Sequence, residues 1–183
     1  MTGPAEIDLL DAGAFAAWVP AAAHVYGAAM QRGPELVVQR REIMQSHLSR
    51  REFVGVVATV PDARPDDRLV GFGYGYRGRT GEWWHDTVAK ALGRDVARRW
   101  LADAFELAEL HVQPDRQGQG IGRQILERIL AAAGGSTVVL STPDRESAAR
   151  KLYRSVGFVD LRGGFVFPGS TEVYSIMGLD RRP

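Results

Sequence analysis

Three glycines spaced by single residues, Gly118, Gly120 and Gly122, stand between an apolar run ending at Val112 and an amphipathic run beginning at Ile121. Glycine can take positive φ and lets a backbone approach a ligand closely. The first turn of a helix adds unpaired N–H groups at the positive end of its dipole. The chemistry of such a loop is anion binding, and Arg116 and Arg123 add positive charge to it. Two phosphate loops do not fit. The P-loop requires Lys and then Ser or Thr after its last glycine, where this chain has Arg123 and Gln124, and the dinucleotide fingerprint G-x-G-x-x-G requires a glycine where Arg123 stands. Two carboxylates, Glu106 and Glu109, lie on the run that enters the loop and are the candidate proton acceptors near it. Three residues apart in an unbroken strand, they point to opposite faces, so only one can face a given acceptor.

The pattern Gln117-x-x-Gly120-x-Gly122, preceded by Val112-x-Pro114 and Arg116, resembles the acetyl-CoA pyrophosphate loop of the GNAT acetyltransferase family. Upstream, Glu106-Leu107-x-x-Leu110-x-Val112-x-Pro114 is similar to that family's central strand. Downstream, Ala149-x-x-Leu152-Tyr153-x-x-x-Gly157-Phe158 is similar to its second signature. The likeness runs from about Leu107 to Phe158. It implies an α/β fold, a single domain over residues 1–183 with a central mixed, mostly antiparallel twisted sheet of about seven strands flanked by helices. The cofactor core would lie at about 104–158, with a helical insert at 78–103. It also implies transfer of the acetyl group of acetyl-CoA directly to a primary amine, with a small-molecule acceptor preferred. A protein N-terminus or lysine is the alternative acceptor, and a catalytically silent CoA-binding sensor is the alternative function.

An amine must be neutral to attack a thioester. Freeing the base costs roughly 4.6 kcal/mol for a lysine side chain and about 1 kcal/mol for an α-amine. On the resemblance, Glu106 is the base, directly or through water, with Glu109 as the alternative. Tyr153 supplies a proton or hydrogen bond to the departing thiolate. Backbone N–H groups near Leu110 to Val112 stabilise the thioester oxygen if the strand splays from its neighbour there. The cofactor set is Leu110, His111, Val112, Arg116, Gln117, Gly118, Gln119, Gly120, Ile121, Gly122 and Arg123. An Asn often found seven residues before the tyrosine is Glu146 here, and Ser147 is the candidate to compensate.

The elements that must position these groups follow from composition and periodicity. At 183 residues one well-packed domain is expected. A net charge of +1 gives no general attraction to nucleic acid. The absence of Cys excludes disulfides, thiolate metal sites and a cysteine nucleophile, and four scattered His give no zinc spacing, so no metal is expected. No apolar run is long enough to span a membrane, and no basic segment precedes an apolar one, so a cytoplasmic protein with no membrane partner is the expectation. The partner is then a small-molecule or peptide amine, and a homodimer is compatible with the sequence. Ala5–Leu10 reads as a strand, 14–30 and 35–49 as two helices, and 53–60 and 69–76 as a hairpin joined by a polar loop over 61–68. Residues 104–112 read as the strand entering the loop, with a helix after it that Gly134-Gly135 ends. A strand over 136–142, a helix opened by Pro143-Asp144 and running to about Val156, and two strands over 158–167 and 172–179 complete the order.

Residues 78–103 are too long for a tight turn, and Trp84, Val88, Leu92, Val96 and Trp100 form an apolar stripe, so one or two helices are predicted there. Trp83, Trp84, His85 and Asp86 are candidates to line an acceptor pocket; otherwise the Trp residues pin the insert to the core and His85 is a hydrogen-bonded surface residue. Val70, Phe72, Tyr74 and Tyr76 alternate with Gly71, Gly73 and Gly75, which leaves one bulky face and one bare face that a ligand or helix can approach. Tyr26 and His24, near the end of the first long helix, are candidates to reach an acceptor pocket, although nothing in their spacing demands it.

Overall fold

The computed structural model describes residues 4–61 and 68–182, so most of the predicted 61–68 loop lies outside the described residues. The order is β1 (Glu6–Leu10), α1 (Ala12–Ala16), α2 (Val19–Met30), α3 (Pro34–His47), β2 (Val54–Thr59), β3 (Leu69–Arg77), α4 (Trp83–Leu92) and α5 (Arg94–Leu101). Then come β4 (Ala104–Val112), a single 3-10 turn (Pro114–Arg116), α6 (Ile121–Ala132), β5 (Thr137–Pro143), α7 (Ala148–Ser155), β6 (Val159–Val166) and β7 (Val173–Asp180). The seven strands form one mixed sheet in the order β1-β2-β3-β4-β5-β7-β6, the α/β class predicted. β4 and β5 are parallel, whereas β1–β2, β2–β3, β5–β7 and β6–β7 are antiparallel. The chain forms two compact units, 1–76 with 108–133 and 77–107 with 134–183, and β4 contributes to both.

In the first unit, alternation along β3 decides the packing. Phe72, Tyr74 and Tyr76 are buried with Phe15, Val19, Ala22 and Met44 in a core formed with α1, α2 and α3. The bare face receives a helix. A Cβ at Gly71 would lie 3.0 Å from Ile125 Cδ1, and one at Gly73 would lie 2.9 Å from both Ile125 and Ile129. The glycines let α6 settle onto the strand, and Ile121, Ile125, Leu126 and Ile129 are its buried stripe, as the helical period predicts. The predicted single helix over 14–30 is two. Asp11 caps α1 by accepting from Ala14 N, and Pro20 is tolerated only in the first turn of a new helix, because it has no N–H and its ring clashes with a carbonyl four residues back.

In the second unit, Val88, Trp100, Leu101, Ala104, Val139, Phe167 and Ile176 form the core. The insert is two helices, α4 and α5, hinged at Gly93, whose φ of 78° favours glycine. The hinge changes the phase of the stripe, so Val96 is exposed while Val88 and Trp100 are buried. The predicted start of the following helix at Pro143 is also corrected. Pro143 ends β5 opposite Tyr174, Asp144 N donates to Val173 O at 2.8 Å, and α7 begins only after its cap, Ser147.

Candidate active site

The anion loop is built by main chain and braced by side chains. Gln117 Nε2 donates to Val112 O at 3.0 Å and Gln119 Nε2 to Asp115 O at 3.3 Å, which ties the loop back to β4 and to the 3-10 turn. Gly118 and Gly120 have φ of 76° and 83°. Gly122 does not share this conformation: it lies inside the first turn of α6, so the predicted set of three left-handed glycines is two. No side chain caps the N-terminus of α6. A Cβ at Gly118 would meet nothing within 4 Å, and one at Gly120 only Gln124 Nε2 at 4.0 Å. Open space beside the first amides of a twelve-residue helix suits an anion. Ile121 is buried under the helix, so its main chain rather than its side chain is placed to contact a ligand. Arg116 is largely buried beside Asp115, and Arg123 is half-exposed with Glu127 at 3.5 Å, so both cations contribute to the local field with some of their charge already neutralised.

Glu109, also in the first unit, is not a lone carboxylate. Its Oε1 accepts from Arg40 Nη1 at 3.0 Å, and its Oε2 accepts from His111 Nε2 at 2.6 Å. Burial opposes its charge, but the hydrogen bond from His111 and the positive charge of Arg40 overcome that and hold the carboxyl below the ordinary range. Arg40 also donates to Tyr26 Oη at 3.3 Å and lies over that ring at 4.7 Å, and Tyr26 meets His111 edge-on at 5.2 Å. Tyr74 Oη, its phenol kept protonated by burial, is hydrogen-bonded with His47 Nδ1 at 3.0 Å. Arg40 was missed in the sequence. A signal was present: Val37, Arg40, Met44 and His47 recur at helical spacing, so the inward stripe of α3 carries a cation and an imidazole.

Glu106 and Tyr153 belong to the second unit. Both are buried, at 3% and 6% exposure. Glu106 is the last residue of β4 paired with β5, opposite Val139. Its side chain lies directly on the backbone of Gly78, where a Cβ would be 2.6 Å from Cδ and 2.8 Å from Cγ. Trp84 Nε1 donates to Ser141 Oγ at 3.2 Å. Ser141 lies two residues beyond Val139 and so on the same face of β5, which places the insert over the face that carries Glu106. Trp84 thus anchors the insert. Trp83, at 59% exposed, rests on Phe167 with ring centroids 5.7 Å apart. His85 is buried rather than on the surface, and Nδ1 faces Asp86 Oδ1 at 3.2 Å.

The helix carrying Tyr153 is held by charges. Arg150, buried, donates to Asp144, to Ser175 Oγ at 2.9 Å and to Asp160 Oδ1 at 2.8 Å. Glu146 accepts from Arg154 at 2.8 Å, so the residue that replaces the usual Asn is engaged in a surface ion pair. Ser147 accepts from Arg150 N at 3.2 Å as the N-cap of α7, so one lone pair of its hydroxyl is already engaged. Among the described residues no group of three or more His, Cys, Asp or Glu is placed to hold a metal ion. Among the same residues no helix is long and apolar enough to cross a membrane.

The sequence profile of the acetyltransferase (GNAT) domain matches residues 63–160. The chain belongs to the GNAT acetyltransferase family. This family uses acetyl-CoA. Over 118 residues the chain is 36% identical to a GCN5-like protein acetyltransferase of Mycobacterium tuberculosis, covering 60% of this chain and 57% of that protein. It is 38% identical over 74 residues to the N-alpha-acetyltransferase RimI of the same organism, covering 39% of this chain and 47% of the relative. The chain therefore spans about half the length of the curated relatives it matches. Among solved structures, the NatC complex bound to Gag peptide and CoA shares the fold, with a TM-score of 0.64 at 15% identity over 97% of this chain and 99% of that one.

Proposed function

We propose that this protein transfers the acetyl group of acetyl-CoA to a primary amine. The observation that carries the reading is one strand, β4, that holds a buried carboxylate, Glu106, and runs on into a glycine loop and an uncapped helix. In this reading the amides of Gln117 to Arg123 hold the pyrophosphate with help from Arg116. Leu110 and Val112 border the pantetheine arm, and the hydroxyl of Ser147 supplies one polar contact. Bound acetyl-CoA supplies an activated thioester carbonyl. Main-chain N–H groups between Leu110 and Val112 stabilise its oxygen, Glu106 accepts a proton from nitrogen, and Tyr153 delivers one to sulfur.

In this reading the acceptor is a small-molecule amine, which the aromatic α4–α5 insert, anchored to β5 by the hydrogen bond from Trp84 to Ser141, favours over a peptide in a long open groove. A second reading, a protein N-terminus or lysine, is favoured by the names of the two curated relatives. Thiol release from acetyl-CoA across a panel of polyamines, amino acids, aminoglycosides and peptides decides between them. Turnover confined to small amines supports the first reading. Turnover confined to peptides supports the second, and acetyl-CoA binding without thiol release from any acceptor overturns both in favour of a sensor.

A further inference from the structure

Two side chains of α7 are buried, Arg150 and Tyr153, three residues apart and so on one face of the helix. No aliphatic side chain of this eight-residue helix is buried with them. A cation therefore seats the element that carries the tyrosine, where a leucine or isoleucine would ordinarily do so. Resting on the function proposed above, we propose that Arg150 is a positioning residue for the reaction: it fixes α7 on the sheet and so sets where Tyr153 stands to serve the departing sulfur.

The guanidinium reaches partners from three strands of the second unit. Nη1 donates to Asp144, which directly follows β5, and to Ser175 Oγ of β7 at 2.9 Å, and Nη2 donates to Asp160 Oδ1 of β6 at 2.8 Å. Those partners are themselves held. Ser175 Oγ donates to Asp144 Oδ1 at 2.6 Å, Asp144 Oδ2 accepts from Gly164 N at 2.7 Å, and Asp160 Oδ2 accepts from Arg154 Nη2 at 3.0 Å. Charge-assisted hydrogen bonds are directional, so several from one planar group fix a short helix against sliding and rotation, which non-directional apolar contact does not.

Stability alone does not account for the arrangement. A buried arginine carries a desolvation cost that its ion pairs do little more than offset. Its Nε is also buried with no hydrogen-bond partner among the described residues. The far end of the helix completes the seat. Tyr153 packs on Phe158 with ring centroids 5.6 Å apart, and Phe158 N donates to Tyr153 O at 3.1 Å. The tyrosine thus stands between an ion-paired anchor one turn before it and an aromatic stop just after the helix.

The test uses the full chain and a double-mutant cycle. Arg150→Met fills similar space without directional bonds, and Asp144 and Asp160, with side chains 26% and 38% exposed, are open to water once the cation is gone. It should lower kcat about 10-fold with the best acceptor of the panel while the KM of that acceptor stays within about twofold. In a Tyr153→Phe background the same change should lower kcat by less than about twofold, because the group that Arg150 places is already absent. If Arg150→Met does not fold, Asp160→Asn, which weakens one exposed arm of the network, carries the same cycle with an expected loss of about threefold. Fluorine NMR of fluorotyrosine-labelled protein gives a readout independent of turnover. The resonance that Tyr153→Phe removes should be one narrow line in wild type and split or broadened in the Arg150 or Asp160 variant. Full rate in that variant, equal losses in both backgrounds, or an unchanged line overturns the positioning role. A wild type that binds acetyl-CoA and acetylates nothing overturns the function proposed above, and the line of Tyr153 still decides whether Arg150 holds it.

Discussion

Replacing Gly78 by alanine separates the position of Glu106 from its chemistry. The added Cβ would fall 2.6 Å from Glu106 Cδ and 2.8 Å from Cγ, where ordinary contacts begin at 3.4 Å. Neither partner can retreat easily. Gly78 N donates to Ala104 O at 3.1 Å, which anchors the backbone, and Glu106 is only 3% exposed, which denies its side chain an empty direction. The φ of Gly78 lies outside the left-handed region, so alanine brings no backbone strain and the whole effect is steric. Overpacking of this kind costs about 1–3 kcal/mol of stability. The carboxyl must shift by about 1 Å, and a misplacement of that size at a reacting group lowers rate about 10²-fold, equivalent to about 2.8 kcal/mol in the barrier. The expected outcome is a kcat reduced about 10²-fold in thiol release, approaching that of Glu106→Gln, with acetyl-CoA affinity by calorimetry unchanged because the anion loop is untouched. A Gly78→Ala protein that turns over within twofold of wild type, while Glu106→Gln is inactive, would show that the tight seat of Glu106 is irrelevant to its role.

Other expectations follow from single features. Gly120→Val should abolish acetyl-CoA binding in a calorimeter, since φ of 83° is closed to a β-branched residue and the loop must refold. Tyr153→Phe should retain CoA affinity and lose about 10²-fold in kcat; full turnover with a good acceptor would remove the tyrosine from the proton path. Asp144 is drawn down to about 2 by hydrogen bonds from Ser175 Oγ, Gly164 N and Arg150. A carboxylate with a depressed folded-state value adds stability above its unfolded value of 3.8 and loses it as pH falls toward 2. Asp144→Asn should therefore flatten the acid limb of a thermal-melt series between about pH 4 and 2, and an unchanged limb would contradict the assignment.

The strand, loop and helix at 104–132 were legible because each carries a local rule: an apolar strand, glycines at a turn, and a 3.6-residue stripe. β4 begins and ends where the pattern placed it. The glycine face of β3 was legible as bare, but only the packing reveals that α6 fills it. What escaped the sequence was governed by non-local partners or by single residues. Pro20 splits a run whose hydrophobicity alone reads as one helix. Ser147, not Pro143, starts α7, because a capping hydroxyl outweighs a proline that can still end a strand. Gly78 reads as loop punctuation until Glu106 is seen lying on it, and Arg40 reads as a surface cation although its partner is sixty-nine residues away. Contacts of that separation leave no local trace.

Trp83 gives the molecule an optical handle. Of the four tryptophans, Trp100 is buried and Trp18 and Trp84 are partly covered, whereas Trp83 stands 59% exposed against Phe167. Its emission will lie to the red of the others and will be quenched by acrylamide ahead of them. A ligand that settles on the insert will shift that red component toward the blue and shield it from the quencher, so occupancy of that surface can be followed in real time without a label. With Trp83→Phe the reporter is silenced and the remaining signal belongs to the interior.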